Sequence, residues 1–434
     1  MASIEIPNSV TNIEDGAFSG CIGLTSIEIP NSVTSIGGET FSGCIGLTSI
    51  EIPNSVTVIG ESAFSGCSGL ISIEIPNSVT TIEKHAFANC IGLTSIEIPY
   101  SVKSIGGGAF EGCNSFISIK IPNSVTTIER SAFAFWHFLT SVEIPNNVTS
   151  IEGHAFERCS GLTSIKIPNS VTSIGKEAFR DCSGLTSIEI PNSVVSIEDG
   201  VFAGCSSLTS IKIPNSVTSI GWYAFKGCSG LTSIEIPNSV TSIGGEAFEG
   251  CGSLTSIKIP DSVIHIEYDE YGEYGYFDCN LFAGCTSLIS VEFSNSVNYI
   301  GNNVFKNCIN LKSFEIPDSV ERIEGFAFKG CIGLTSIEIP DSVTSIGWSA
   351  FSDCIGLTSI EIPDSVTSIR EYAFEGCSSL KEFHLRNEHP ENIKIEEGAF
   401  DGISECTLFV PIGTGYAYRH DERFKVFKEV KIEK

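Results

Sequence analysis

Apolar residues recur along most of the chain with a period of 23 residues. The unit that begins at Leu24 reads Leu-Thr-Ser-Ile-Glu-Ile-Pro-Asn-Ser-Val-Thr-Ser-Ile-Gly-Gly-Glu-Thr-Phe-Ser-Gly-Cys-Ile-Gly, and Leu47 restarts it. Within this unit Ile27 and Ile29 flank Glu28, which is the two-residue alternation of a strand with one buried face. The proline that follows cannot donate to a strand ladder and ends the strand. The pattern therefore predicts one short strand in each unit.

Four further apolar positions return to the interior after the strand. In the same unit they are Val33, Ile36, Phe41 and Cys44, so each coil is expected to bury about seven side chains. A single coil cannot enclose its own apolar face, and its stability must come from stacking on neighbouring coils. We predict an α/β repeat solenoid with little helix. It is a leucine-rich repeat with one short parallel β-strand per 23-residue coil, wound into a curved right-handed superhelix.

Two changes in this pattern divide the chain. The strand core recurs sixteen times, from a first copy that ends at Ile6 to a last copy that ends at Ile362. We therefore assign residues 1–380 to the solenoid and residues 381–434 to an irregular last repeat and a C-terminal cap. Before that last repeat the register slips once, at an insertion over residues 267–280.

Composition excludes several classes of function. The chain has 434 residues and a formal net charge of −27, so it lacks the basic footprint that nucleic-acid binding requires. No stretch approaches the roughly 20 apolar residues of a membrane-spanning helix, and membrane insertion is not expected. The first residues carry no export signal and open within a repeat, which is the pattern expected of a truncated N-terminus.

The 17 cysteines follow the repeat rather than a short disulfide framework. We expect them to form a buried column of small, reduced core residues, because free cysteine is among the most buried residue types. Cysteine pairs at the spacing of a zinc site are absent from the sequence, so no metal site is predicted. Cys279 lies outside the column, and both a disulfide with Cys285 and a free thiol are compatible with its position.

The outward position in the middle of each strand carries a patterned column of charge. It is Glu in the first five units, alternates between Lys and Glu from Lys120 to Lys258, and is Glu again from Glu292. Neighbouring strands lie about 5 Å apart, so the alternating stretch predicts a ladder of ion pairs. The acidic stretches are candidates for binding a basic segment or cations, and a solvated face that keeps the protein soluble is the alternative. The candidate residues are Glu28, Glu51, Glu74, Glu97, Glu315, Glu338 and Glu361.

The insertion is rich in tyrosine and carboxylates. Tyrosine is enriched in interface hot spots, which favours a recognition role, and a tolerated loop folded over its own aromatic side chains is the alternative. A partial match to a calcium-binding loop begins at Glu267 but fails at its fifth position, so calcium is not predicted. The candidate partner-binding residues are Tyr268, Asp269, Glu270, Tyr271, Glu273, Tyr274, Tyr276 and Phe277.

Four more aromatic residues depart from the repeat. Trp222, Tyr223 and Trp348 occupy the variable turn of their units and are further candidates for contacting a partner. Trp136 replaces the column cysteine of its unit, and packing into a locally widened core is the favoured interpretation.

The sequence offers no catalytic constellation. It contains no HExxH, GxSxG or phosphate-binding loop motif, and its seven histidines are scattered. Carboxylates on an open, solvated surface lack the burial that acid and base catalysis needs. We predict a protein that is not an enzyme and that requires no cofactor.

The repeated unit resembles the BspA-type leucine-rich repeats of bacterial and protozoan surface proteins. The likeness rests on Leu-Thr-Ser-Ile-Glu-Ile-Pro-Asn-Ser-Val-Thr-Ser-Ile-Gly followed by Ala-Phe, a glycine and a cysteine, and it covers nearly the whole chain. The tail from Cys406 to Tyr418 and from Phe424 to Phe427 is similar to the closing segment of such proteins in Bacteroidetes.

This resemblance implies a surface-exposed or secreted, adhesin-like protein. Its expected partners are host matrix proteins or the surface proteins of other microbes. A self-assembling structural protein, associating through its uncapped first repeat, and an intracellular interaction scaffold remain alternatives on the residues alone.

Overall fold

The structure, a computed structural model, describes residues 3–266, 279–403 and 405–433. They belong to two compact units, Met1–Val217 and Thr218–Lys434, which we call unit 1 and unit 2. Each unit is a stack of coils joined by short parallel strands, with almost no helix. The predicted fold class is therefore confirmed. The predicted boundary between solenoid and cap at residue 380 remains a prediction.

Unit 1 carries a three-residue strand at the predicted position of most coils. Its central Ile or Val is packed against the core while the flanking side chains face solvent, and neighbours pair in parallel, with Ile50 opposite Ile73. Among the described residues of the coil that contains Glu97, this position is extended without being a strand. These strands, which we call the first ladder, are Ser3–Glu5, Ser26–Glu28, Ser49–Glu51, Ser72–Glu74, Ser118–Lys120, Ser141–Glu143, Ser164–Lys166, Ser187–Glu189 and Ser210–Lys212.

A second ladder of two-residue strands runs along another side of the coils and was not predicted. Each of these strands ends in the isoleucine that the pattern sends to the core, as in Val58–Ile59 opposite Thr81–Ile82. The unpredicted strands are too short for an alternation to be visible in the sequence. In unit 1 they are Ser35–Ile36, Val58–Ile59, Thr81–Ile82, Ser104–Ile105, Thr127–Ile128, Ser150–Ile151, Ser173–Ile174 and Ser196–Ile197.

The turn before each column cysteine forms a third hydrogen-bonded side. In one coil the Phe64 amide donates to the Ala86 carbonyl at 2.8 Å, and the Gly66 amide donates to the Ala88 carbonyl at 2.7 Å. This geometry places Ser62 and Gly66 in the left-handed region, with φ of 56° and 71°. Left-handed backbone costs most L residues about 1–2 kcal/mol, which explains the glycine in front of most of the cysteines.

Phenylalanine and cysteine columns fill the core behind these turns. Phe41 and Phe64 stack with ring centroids 5.3 Å apart, and the Cys67 thiol donates to the Phe41 carbonyl at 3.1 Å. No disulfide joins the cysteines of the described residues; all are buried except the half-buried Cys21, and burial raises the pKa of Cys113 to about 12. The predicted burial of the cysteine column is therefore confirmed.

Trp136 takes the place of a cysteine in this column without exposing its ring. It is fully buried, stacks on Phe116 at 4.6 Å, and its Nε1–H donates to the Phe110 carbonyl at 2.6 Å. The hydrogen bond is the one that a column thiol makes to the preceding coil, as Cys159 does to Phe133. The expectation that Trp136 packs in the core is confirmed.

Unit 2 repeats both ladders and ends in longer strands. Its first ladder comprises Ser233–Glu235, Ser256–Lys258, Ser290–Glu292, Ser359–Ile362, Glu382–Leu385, Thr407–Val410 and Glu429–Ile432, with single bridges joining Glu315, Glu338 and Glu361. Its second ladder comprises Ser219–Ile220, Ser242–Ile243, His265–Ile266, Tyr299–Ile300, Arg322–Ile323, Ser345–Ile346, Ser368–Ile369 and Lys394–Ile395.

Helical turns cover the last coils of unit 2. They are the helix Gly415–His420 and the 3₁₀ turns Pro390–Asn392 and Glu422–Phe424. Tyr418 is buried and donates to the Asn387 carbonyl at 2.7 Å. Arg423 is half-buried and donates to the carbonyls of Pro390 and Ile393 while pairing with Asp421. Within the described ranges no helix is both long and apolar enough to cross a membrane.

Candidate functional site

The acidic positions of the first ladder face solvent in both units. In unit 1 the described strands place Glu51 directly opposite Glu74, and in unit 2 parallel bridges place Glu315 opposite Glu338 and Glu338 opposite Glu361. Glu28 and Glu97 are likewise exposed. Parallel, in-register pairing brings identical residues of successive coils side by side, so each acidic run becomes a column of like charge.

In unit 2 the acidic column borders a groove of ≈ 960 Å³. A second column of carboxylates, one from the residue that follows the proline of each coil, also lines the groove, together with proline and isoleucine residues. We call this feature the acidic groove. Its carboxylate-bearing residues are Glu315, Glu338 and Glu361 in the first column, Asp318, Asp341 and Asp364 in the second, and Glu382 at one end.

Basic residues close one end of the acidic groove. Arg386 Nε lies 2.6 Å from Glu361 Oε1, and its guanidinium also contacts the carboxylate of Glu433. This hydrogen bond from Arg386 holds the pKa of Glu361 below its usual value. His384 stacks on Phe409 at 4.7 Å, and its Nδ1 lies 2.6 Å from Glu433. At this end Arg386 thus balances part of the acidic charge of the groove.

The rest of the acidic groove is not balanced in this way. Among the described residues no basic side chain forms an ion pair with Glu315, Glu338, Asp318, Asp341 or Asp364. All five are exposed. The sequence analysis missed the aspartate column, because it did not single out the residue after the proline.

The same coils present isoleucine at an exposed corner just after the column cysteine. In unit 2 the side chains of Ile309, Ile332 and Ile355 are 37%, 43% and 45% exposed, and in unit 1 Ile22 and Ile45 are 66% and 51% exposed. The sequence analysis did not single these residues out. The repeated Cys-Ile-Gly could have indicated them. In most of the coils with alternating charge, its isoleucine is replaced by serine, glycine or another polar residue.

The alternating stretch of the first ladder does not form the predicted ladder of ion pairs in unit 1. Lys120, Glu143 and Lys166 are opposite one another in register, yet none of them forms an ion pair among the described residues. In unit 2 Lys258 and Glu292 do pair, at 2.8 Å. An exposed ion pair contributes only about 0–1 kcal/mol after the loss of side-chain entropy, so correct strand register alone is not enough to form it.

The three turn aromatics proposed as partner contacts are half-buried. The six-membered ring of Trp222 lies over Gly245, where an added Cβ would come within 2.7 Å of it. Trp348 packs against Phe326 with ring centroids 4.0 Å apart, and Tyr223 is similarly half-buried. Their binding role remains a prediction. The candidate residues of the insertion, Tyr268 to Phe277, lie outside the described residues.

Two further predictions concern thiols and metals. Cys279 and Cys285 are both buried, and the disulfide left open by the sequence is not formed between them. Coil stacking also brings His154 and Glu157 next to Glu177, with their ligand atoms within 4.8 Å of one another. Arg180 already pairs with Glu177 at 2.6 Å, so an ion-pair network accounts for this cluster.

Comparison with known proteins agrees with this repeat geometry. The family model described as the BspA type leucine rich repeat region matches in six copies, over residues 1–107, 67–184, 151–280, 196–324 and 298–412. The chain belongs to the BspA-type leucine-rich repeat family. This family is typically a non-enzymatic scaffold, and the assignment supports a protein-interaction scaffold here.

Solved structures include similar BspA-type repeats. A leucine-rich repeat protein from Bacteroides ovatus is 30% identical with a TM-score of 0.56, over 94% of this chain and 92% of that one. A leucine rich cell surface protein from Faecalibacterium prausnitzii is 32% identical with a TM-score of 0.43, over 83% and 87%. The pneumococcal vaccine antigen PcpA shares the fold at 19% identity and a TM-score of 0.51, over 94% of each chain. A search of the curated proteins finds no match.

Proposed function

We propose that this protein is a non-enzymatic, adhesin-like scaffold that is secreted or held at the cell surface and contacts a protein partner through its first ladder. The acidic groove carries this proposal, because five of its exposed carboxylates have no basic partner among the described residues. Uncompensated surface charge of one sign steers and selects partners more than it stabilises a fold.

Family likeness supports the location. The Faecalibacterium protein is described as a cell surface protein, and it is 32% identical to this chain. The expected partners are host extracellular-matrix proteins or proteins on other microbes. The free thiols do not argue against an oxidising compartment, because burial keeps the column away from oxidants and raises the pKa of thiols such as Cys113 and Cys159.

Binding to a panel of purified extracellular-matrix proteins and to whole microbial cells tests the partner. The intact chain is measured beside a variant in which Tyr268 to Asp278 is reduced to a short turn. Loss of binding in the shortened variant would assign recognition to the insertion, and equal binding would assign it to the first ladder or to the turn aromatics Trp222, Tyr223 and Trp348. An intact chain that binds no member of the panel contradicts the adhesin role.

Protease treatment of intact source cells tests the location. A surface protein releases its peptides without lysis, whereas the alternative intracellular scaffold releases them only after the cells are broken.

A further inference from the structure

Three positions distinguish the coils of the acidic groove from the lysine-bearing coils of unit 1. In the coil of Glu338 the strand carries Glu, the residue after the proline is Asp341, and the exposed corner is Ile332. In the coil of Lys166 the same positions carry Lys166, Asn169 and Ser160. The buried frame is the same in both, so the differences serve the surface rather than the core.

The two carboxylate columns are arranged for a ligand that crosses several coils. Parallel strands are spaced about 4.8 Å apart, so three successive coils set carboxylates along about 10 Å in each column. An extended polypeptide advances about 3.4 Å per residue and projects every second side chain to one side. Lysine or arginine side chains on a short extended segment can therefore meet carboxylates of successive coils.

The dimensions and the neighbouring surface favour a polypeptide over a small cation. A groove of ≈ 960 Å³ is far larger than the coordination shell of a metal ion. The half-buried Pro340 also lines the groove and offers apolar area that a small hydrated cation would not use.

We propose that the acidic groove of unit 2 binds an extended, cationic polypeptide segment of the partner protein. The inference rests on the proposed scaffold function and names the chemistry that its partner must present. Glu315, Glu338, Asp318, Asp341 and Asp364 receive the basic side chains, and the pairing of Arg386 with Glu361 marks the end of the site.

The chain supplies its own matched variants for a test. Glu338→Lys introduces a residue that the chain already carries at this coil position in Lys166, so the fold is expected to tolerate it. Glu189→Lys makes the same change in the alternating stretch of unit 1, which has no second carboxylate column. Both variants alter the net charge equally, and unchanged far-UV circular dichroism and thermal unfolding check that both are folded.

The probe is a fluorescein-labelled peptide of four Lys-Ser repeats, titrated with the full chain and followed by fluorescence anisotropy. We expect Glu338→Lys to weaken binding about tenfold, since it removes one attraction and adds repulsions to the peptide. We expect Glu189→Lys to change the dissociation constant less than twofold. Asp341→Asn, which copies Asn192, should weaken binding about two- to fivefold.

Four results would overturn the inference. The first is equal weakening by both lysine variants, which would mean diffuse attraction to an acidic protein. The second is no weakening by Glu338→Lys. The third is tighter binding of spermine or calcium ions than of the peptide at this groove. The fourth is a failure to bind the peptide by a chain that still binds the matrix and microbial panel. It would refute cationic peptide binding in the acidic groove and leave the scaffold function intact.

Discussion

Two glycines in one turn of unit 2 provide a matched pair of Gly→Ala variants. Comparing the two variants separates the energetic cost of a left-handed backbone from the other effects of adding a methyl group. Gly250 has φ of 71°, and an added Cβ would lie 3.6 Å from the nearest atom, an ordinary contact. Gly252 lies outside the left-handed region, and its Cβ would be 3.6 Å from Thr286. Gly→Ala restricts the unfolded chain equally at both sites, by about 0.4–1 kcal/mol. The difference between Gly250→Ala and Gly252→Ala therefore isolates the left-handed strain, about 1–2 kcal/mol.

Native-state hydrogen exchange of peptides spanning Phe248 to Leu254 measures this difference locally, which matters because coils in a stack can open separately. We expect exchange about 5- to 30-fold faster in Gly250→Ala than in Gly252→Ala. Gly252→Ala itself should exchange no faster than the parent chain. Equal exchange in the two variants would show that the turn relaxes out of the left-handed region, and the reason given for the glycines before the cysteines would be wrong.

Three other outcomes follow from buried groups. Iodoacetamide at pH 8 should alkylate the half-buried Cys21 in the native protein, and the rest of the 17 cysteines only after denaturation, as counted by mass spectrometry. Trp136→Phe should lower the free energy of unfolding by about 2–3 kcal/mol in urea titrations, because a buried carbonyl loses its donor and the core loses volume; a loss below about 0.5 kcal/mol would contradict this. Arg423 lowers the pKa of Asp421 in the folded state, so this carboxylate stabilises the chain above its unfolded pKa and the contribution fades as pH falls through the lower folded value. Asp421→Asn should therefore remove part of the loss of stability below about pH 4, and an unchanged acid transition would argue against that pairing in solution.

Much of the fold could be predicted from the sequence because the 23-residue repeat places apolar residues at the same core positions sixteen times. Leu47, Ile50, Phe64 and Cys67 are buried as the pattern predicts. The second ladder was missed because two-residue strands such as Val58–Ile59 leave no alternation to detect. The left-handed turn residue Ser62 was missed for another reason: the chain fills that position with many residue types, so nothing in the sequence reports its backbone angle.

Only one of the two carboxylate columns of the candidate site could be predicted from the sequence, because the residue types that a turn tolerates hide the other. Glu338 was identified because its strand position alternates elsewhere with lysine, which makes an acidic run visible. Asp341 was not, because asparagine and aspartate serve a turn after proline almost equally well, and the exchange looks neutral along the chain. Only the stacking of coils sets Asp318, Asp341 and Asp364 beside the glutamate column.

The coils of the acidic groove differ in surface charge from the coils of the alternating stretch. A frame of Phe and Cys columns fixes every coil to the same backbone, so a charge on the outward positions costs the fold little in either sign. Alternating lysine and glutamate is the arrangement that avoids self-repulsion, and the chain uses it from Lys120 to Lys258. The coils of the acidic groove lack this alternation. They carry aspartate after the proline and an exposed isoleucine after the column cysteine. That arrangement gives the isolated chain no added stability, whereas the cationic partner that we propose would supply the opposite charge.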